Sequence, residues 1–336
     1  MSQKQHLFFE FARTGKRLTA AWFAVPIGLI STVAGQIVGG IGIGILVVMA
    51  MFGNGGTDDP EAAAAEVEAS LDLASLSSVE QGLFLIGFFF FAAIAIFLWV
   101  RLFEKRSIAS MGFHGLGSGL FKFARGGLFA FLSMAAMAFG MQAIGYAEGS
   151  PAEVPTSWML VWPLLILMLG WIVQGSTEEI VTRGLLFQSV GARHGLIVAV
   201  IISAAVFTLL HGMNDNPSAV FFINLALYSV FACFYALREA SLWGICGHHA
   251  MWNFTQGNLF GFAVSGSQFG EDRLMQFSET GPDLITGGAT GPEGGLVTTI
   301  ILAISMVVLL LIKPSKDLYD KVPAPSASDG DACPID

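Results

Sequence analysis

The sequence predicts an all-α fold, a polytopic membrane helical bundle of about eight transmembrane helices, and three observations carry that prediction. The chain is 54% hydrophobic and 12% charged, and its mean hydropathy is +0.69, far from a soluble globular average. Apolar runs long enough to cross ~30 Å of hydrocarbon at ~1.5 Å per residue recur along it. Basic residues alternate with those runs in a way that fixes an orientation.

Eight spans are expected, at about 18–52, 82–100, 126–147, 158–191, 195–212, 218–236, 241–262 and 294–312. The first is over-long and Gly-rich, either one tilted helix or a helix plus a re-entrant piece. Lys4, Arg13, Lys16 and Arg17 precede it. Arg101, Lys105, Arg106, Lys122 and Arg125 lie between the second and third spans. Arg183 and Arg193 end the fourth, Arg238 follows the sixth, and Lys313, Lys316 and Lys321 follow the eighth. Eight alternating crossings thus put fifteen of the 16 Lys and Arg on one side, with only Arg273 opposite. The positive-inside rule then places both termini in the cytoplasm. Residues 53–81 carry seven acids and no base, as an outside loop can.

The domain organisation that follows is a cytoplasmic leader over 1–17, one helical bundle over 18–312, and a cytoplasmic disordered tail over 313–336. The tail owes its disorder to a Pro, Ala, Ser and Asp composition. Its end, Cys333-Pro-Ile-Asp336, formally fits a prenylation pattern, but proline after the cysteine and a terminal aspartate speak for coincidence. Residues 7–11 suit either the membrane interface or a frayed leader. The Ala/Glu stretch 59–76 reads as a solvated loop in preference to an interfacial helix. Gly35-xxx-Gly39 and Gly40-xxx-Gly44 permit close helix contact, better assigned to packing inside the bundle than to a dimer. Oligomeric state is not legible.

The net charge of −9 comes largely from the acidic loop and the tail, so nucleic acid is not an expected partner. Three cysteines, two of them inside spans, do not make a disulfide framework. The Gly-rich segment 281–295 lacks the Gly-Lys-Ser/Thr of a phosphate loop. Membrane lipid and a membrane-embedded ligand or substrate remain as partners.

Glu178 and Glu179 stand side by side in an otherwise apolar span, where each ionisable group costs about 2.5–3.5 kcal/mol on insertion scales. Glu179 and Arg183 are four apart on a helix and can pair. Glu178 then points about 100° away, into the bundle. A carboxylate in such surroundings suits general acid–base work; the same residues also suit a buried ion pair that fixes helix register. Phe207-x-x-x-His211 lies on the helix running back. With a turn near Arg193–His194, Glu178 and His211 are each some fifteen residues from it, which sets them level. His249-x-x-x-Asn253 is a further i, i+4 pair, able to donate to an oxyanion or, through His249, to bind metal. His248 points away from that face and is left out of the site; Cys246 is given no role. No standard metal signature or serine elbow is present. Glu178, His211 and His249 could hold zinc with an open position, or activate water without metal.

Glu178-Glu179-x-x-x-Arg183, Phe207-x-x-x-His211 and His249-x-x-x-Asn253, in this order, resemble the CAAX-protease and bacteriocin-processing (CPBP, Abi or Rce1-like) family of intramembrane endopeptidases. The resemblance covers about 158–262. It implies an eight-helix bundle with a water-filled cavity open towards the cytoplasm, in a multi-pass protein of a bacterial inner membrane. It implies Glu178 as the base that activates water, His211 as a group orienting that water, and His249 with Asn253 as the oxyanion holders. Glu179 and Arg183 look like the supporting pair. The cofactor is either none or zinc, and the metal-independent mechanism is favoured because only three metal-capable side chains converge. The expected partner is a membrane-associated peptide or protein substrate. Two other classes compete: a non-catalytic immunity or scaffold protein with the same polar core, and an ion-coupled transporter, against which no half-chain symmetry shows.

Overall fold

A computed structural model of the chain describes residues 3–53, 76–152, 161–214, 217–269 and 271–312. Most of the 59–76 stretch and the whole tail from 313 lie outside the described residues. The fold is an all-α helical bundle, in chain order α1 (Gln3–Glu10), α2 (Ala21–Gly53), α3 (Ser78–Leu98), α4 (Leu116–Ala143), α5 (Val161–Glu179), α6 (Gln188–Leu210), α7 (Ala219–Glu239), α8 (Trp243–Phe254) and α9 (Leu296–Leu311). Wider π-turns extend α3 over Trp99–Glu104, join α5 to α6 over Ile180–Phe187, and extend α8 over Thr255–Leu259. By length and composition five helical stretches can cross a membrane: Ala21–Ile41, Ser78–Glu104, Ile108–Ala143, Val161–Leu210 and Ala219–Glu239. These describe a multi-pass membrane protein.

Local sequence sets the ends of these helices. Ser77 and Glu80 form a reciprocal capping box at the start of α3, with the Ser77 amide donating to Glu80 Oε2 at 2.9 Å. Ser218 caps α7 by accepting from the Phe221 amide at 3.0 Å. Gly195 breaks the stretch Val161–Leu210 by adopting φ 80°, ψ 177°. The chain reverses there: Ser203 Oγ donates to the Thr182 carbonyl at 3.3 Å. Across 21 residues a straight helix would hold those groups roughly 30 Å apart. The turn therefore falls one residue past the expected Arg193–His194.

α2 is a single helix despite Pro26 inside it. It packs on α3 through Gly35 and Gly39, where a Cβ would stand 2.5 Å from the Ala92 amide nitrogen and 2.2 Å from the Gly87 carbonyl oxygen. The small-residue spacing thus serves packing inside the bundle. α4 begins ten residues before the expected third span. Lys122 and Arg125 had suggested a loop, but both lie within the helix and reach the end of α7: Lys122 Nζ donates to the Glu239 carbonyl at 3.4 Å and Arg125 pairs with the Glu239 carboxylate.

Residues 7–11 are neither interfacial nor frayed. Phe8, Phe9 and Phe11 are buried in the main core, the Phe9 ring 5.1 Å from that of Phe187. A two-stranded antiparallel pair, β1 (Ala147–Pro151) with β2 (Met275–Glu279), adds a small strand element that no alternating pattern announced. It ties the end of α4 to the loop after α8.

The bundle has two chemically distinct ends. At one, Arg193 Nη2 donates to the Leu18 carbonyl at 2.8 Å, Arg13 reaches the carbonyl of Ala192, and buried Arg106 bonds Glu104 at 2.6 Å and Gln188 at 2.8 Å. At the other, the Asp272 amide donates to Ser78 Oγ at 3.1 Å, Asn214 Nδ2 to the Ser265 carbonyl at 3.2 Å, and the Gly266 amide to the Thr290 carbonyl at 3.0 Å.

Candidate active site

The hairpin α5–α6 brings Glu178 and His211, 33 positions apart in sequence, to the same depth. α8 lies against α5 and adds His249 and Asn253. Close approach here needs Gly175, whose Cβ would stand 3.0 Å from the Ala250 amide nitrogen. The π-turns following Glu179 reset the register of the helix, an arrangement frequent at functional sites.

Glu178 Oε2 faces two imidazoles, His211 Nε2 at 3.9 Å and His249 Nε2 at 3.8 Å. Its other oxygen, Oε1, accepts from Gln174 Nε2 at 2.7 Å. Gln174 Oε1 in turn accepts from Asn253 Nδ2 at 2.9 Å. The far nitrogens of both histidines are occupied. His211 Nδ1 lies 2.8 Å from the Phe207 carbonyl, which can only accept, so Nδ1 carries the proton there. His249 Nδ1 lies 2.8 Å from Glu179 Oε1. That same oxygen accepts from Arg183 Nη1 at 3.1 Å, with both Glu179 and Arg183 fully buried. Arg183 also donates to Thr182 Oγ1 at 2.7 Å and stacks on Phe207, its guanidinium carbon 4.6 Å from the ring centre.

Every residue singled out from the motifs therefore meets in one network, with two refinements. His211 is not inside a helix turn but the residue that ends α6, at φ −95°, ψ 8°. Asn253 contacts Gln174, not Glu178 directly. Gln174 was missed, though its signal was present: a polar residue four before Glu178 in an apolar helix shares its face. His248, set aside in sequence, is fully buried among Phe231, Trp252 and Phe129 and away from Glu178.

The group opens on a cavity of about 620 Å³. Glu178, His211, His249 and Asn253 line it, together with a second carboxylate, Glu293. Glu293 belongs to the Gly-rich segment before α9, to which sequence reasoning attached no chemistry. Its Oε2 accepts from the Ser265 amide at 2.7 Å and from Ser265 Oγ at 2.8 Å, and its Oε1 accepts from Trp252 Nε1 at 3.1 Å.

The donor set Glu178, His211 and His249 has the chemistry of a zinc site, but its spacing does not fit one. Ligands about 2.0–2.1 Å from a tetrahedral zinc stand roughly 3.3 Å from each other, whereas Glu178 Oε2 stands 3.8 and 3.9 Å from the two nitrogens. Among the described residues no group of three His, Cys, Asp or Glu has metal-holding geometry.

Residues 160–255 match the family model described as type II CAAX prenyl endopeptidase Rce1-like, a stretch that contains all three motifs. No curated protein and no solved structure matches the chain.

Proposed function

We propose, taking residues 160–255 as an Rce1-like unit, that this chain is an intramembrane endopeptidase that hydrolyses peptide bonds of membrane-associated polypeptides with glutamate-activated water. One observation carries the reading: Glu178 Oε2 faces two imidazole nitrogens at 3.8 and 3.9 Å inside a cavity, with the opposite side of each imidazole held. Those separations are too long for direct hydrogen bonds and suit a bridging water.

In this mechanism Glu178 takes a proton from water, and the water oxygen bonds to the scissile carbonyl carbon. His211 accepts through Nε2 and orients the attacking water. His249, as the imidazolium, donates through Nδ1 to Glu179 and through Nε2 to the developing oxyanion. Asn253 has one amide hydrogen on Gln174 and a second for that oxyanion. The C–N bond then breaks as the proton held on Glu178 passes to the leaving amine. No step is routed through a metal, because the donor spacing does not fit one.

The test is N- and C-terminal peptide mapping of membrane proteins from cells carrying wild-type protein or Glu178→Gln at matched expression. New termini only with wild type are expected. Identical maps, with the variant inserted normally, would overturn the peptidase reading and favour a non-catalytic scaffold.

A further inference from the structure

The described basic residues gather at one end of the bundle, through the contacts of Arg13, Arg106, Lys122, Arg125 and Arg193 given above. Two depart from this. Arg183 lies in the core, bonded to Glu179, and Arg273 stands at the other end, beside β2. Burial removes Arg183 from the charges that decide orientation, so the asymmetry rests on the others.

The cavity draws no wall from the basic end. Its inner limit is Val181, Thr182 and Tyr228, and its outer limit is Met213, Asn214, Ser265 and Ser267. The outer group belongs to the loops joined by the Asn214–Ser265 bond, at the same end as the β1–β2 pair. Towards the basic end the bundle is filled by fully buried Met111, Leu185, Phe187 and Gln188, with the bonded pair Arg106 and Glu104 beyond them. A polypeptide reaches Glu178 from the end that lacks cations.

Lys and Arg flanking membrane spans are retained on the cytoplasmic side. We infer that the cavity opens on the membrane face opposite the cytoplasm, and that its substrate is a segment of a membrane-associated polypeptide exposed on that face. This is the reverse of the cytoplasmic opening that the family resemblance implies. The lining also contains two carboxylates, Glu178 and Glu293, and among the described residues no Lys or Arg. It therefore suits an internal, neutral or basic stretch better than a free C-terminal carboxylate, which would find no cation there. The word substrate rests on the peptidase reading; the side on which the cavity opens does not.

The experiment labels single cysteines with a membrane-impermeant sulfonated maleimide, in intact cells expressing the full chain with Cys333→Ser. Cys233 and Cys246 are buried and stay in place. Met213→Cys probes the cavity rim, where Met213 is 96% exposed, and Leu284→Cys probes the same end away from the site. Lys16→Cys probes the basic end. Labelling of the 213 and 284 positions before lysis, with position 16 labelled only after lysis, is the expected result. Labelling of position 16 before lysis, with the other two labelled only afterwards, would overturn the inference. If the peptidase reading alone is wrong, this pattern is unchanged and the peptide maps of wild type and Glu178→Gln coincide.

Discussion

Glu179 Oε1 accepts from two cationic or cation-capable groups at once, Arg183 Nη1 at 3.1 Å and His249 Nδ1 at 2.8 Å. This one oxygen links the ion pair within α5 and its π-turn to the imidazole on α8 that faces Glu178. Helix register and imidazole orientation are thereby set together.

Arg183→Ala removes the only guanidinium bonded to Glu179 and the stack on Phe207. Breaking a buried pair by removing one partner costs about 3–5 kcal/mol. Thermal unfolding in detergent should show a drop of that order, larger than for Arg13→Ala, whose partner Glu10 is half exposed. Equal losses in the two variants would contradict the role given to the buried pair.

Gln174→Ala leaves Glu178 Oε1 and Asn253 without their shared partner. We expect cleavage to fall about 10- to 100-fold, as for loss of a group that orients active residues, with membrane insertion unchanged. The fall should appear in kcat more than in KM. Wild-type kcat in this variant would remove Gln174 from the working site.

Chelator treatment tests the metal-independent mechanism. Activity is expected to survive dialysis against EDTA, and purified protein is expected to contain no stoichiometric zinc. One zinc per chain, with activity lost on its removal and regained on its return, would show that the donors close by about half an ångström around a metal.

Gly39→Ala and Gly40→Ala should differ sharply. At Gly39 the new methyl would meet the Gly87 carbonyl oxygen at 2.2 Å, while at Gly40 its nearest neighbour is the Phe88 ring at 3.6 Å, an ordinary contact. Overpacking costs about 1–3 kcal/mol, so Gly39→Ala should lower the melting temperature and Gly40→Ala should leave it nearly unchanged. A neutral Gly39→Ala would mean that α2 and α3 stand further apart.

Glu279, outside the membrane-crossing helices, offers a pH-dependent test. Burial, with the Asp283 carboxylate adding to it, pushes Glu279 up to about 7 from 4.5. The folded state thus binds the proton more tightly than the unfolded state. The resulting stability is fully present below about pH 4.5 and is lost as pH rises through 7. Unfolding of wild type and Glu279→Gln across pH 5–8 should show a decline with rising pH that the variant lacks. A parallel decline in both would assign it to other groups.

Much of the site was legible because its signals are local. The carboxylates of Glu178 and Glu179 are conspicuous in an apolar span, and i, i+4 spacing alone pairs Glu179 with Arg183 and sets His249 with Asn253 on one face. Even the long-range match of Glu178 to His211 was legible, since two helical arms of equal rise from one turn come level. The β1–β2 pair was not, because Ala147–Pro151 has no alternating pattern and is held by its partner strand. The membrane-buried position of Lys122 was not, because its polar tip is satisfied by a carbonyl 117 residues away.

The sequence by itself determined the helical membrane bundle, its charge asymmetry and the identities of the reactive side chains, all of which follow from composition and from a fixed rise per residue. Only the tertiary structure decided that Glu179 is shared by Arg183 and His249, that Gln174 bridges Glu178 to Asn253, that Glu293 lines the same cavity, and at which end that cavity lies. Those relations depend on which helix faces pack together, and packing is settled by contacts between segments far apart in the chain, such as Gly175 against Ala250.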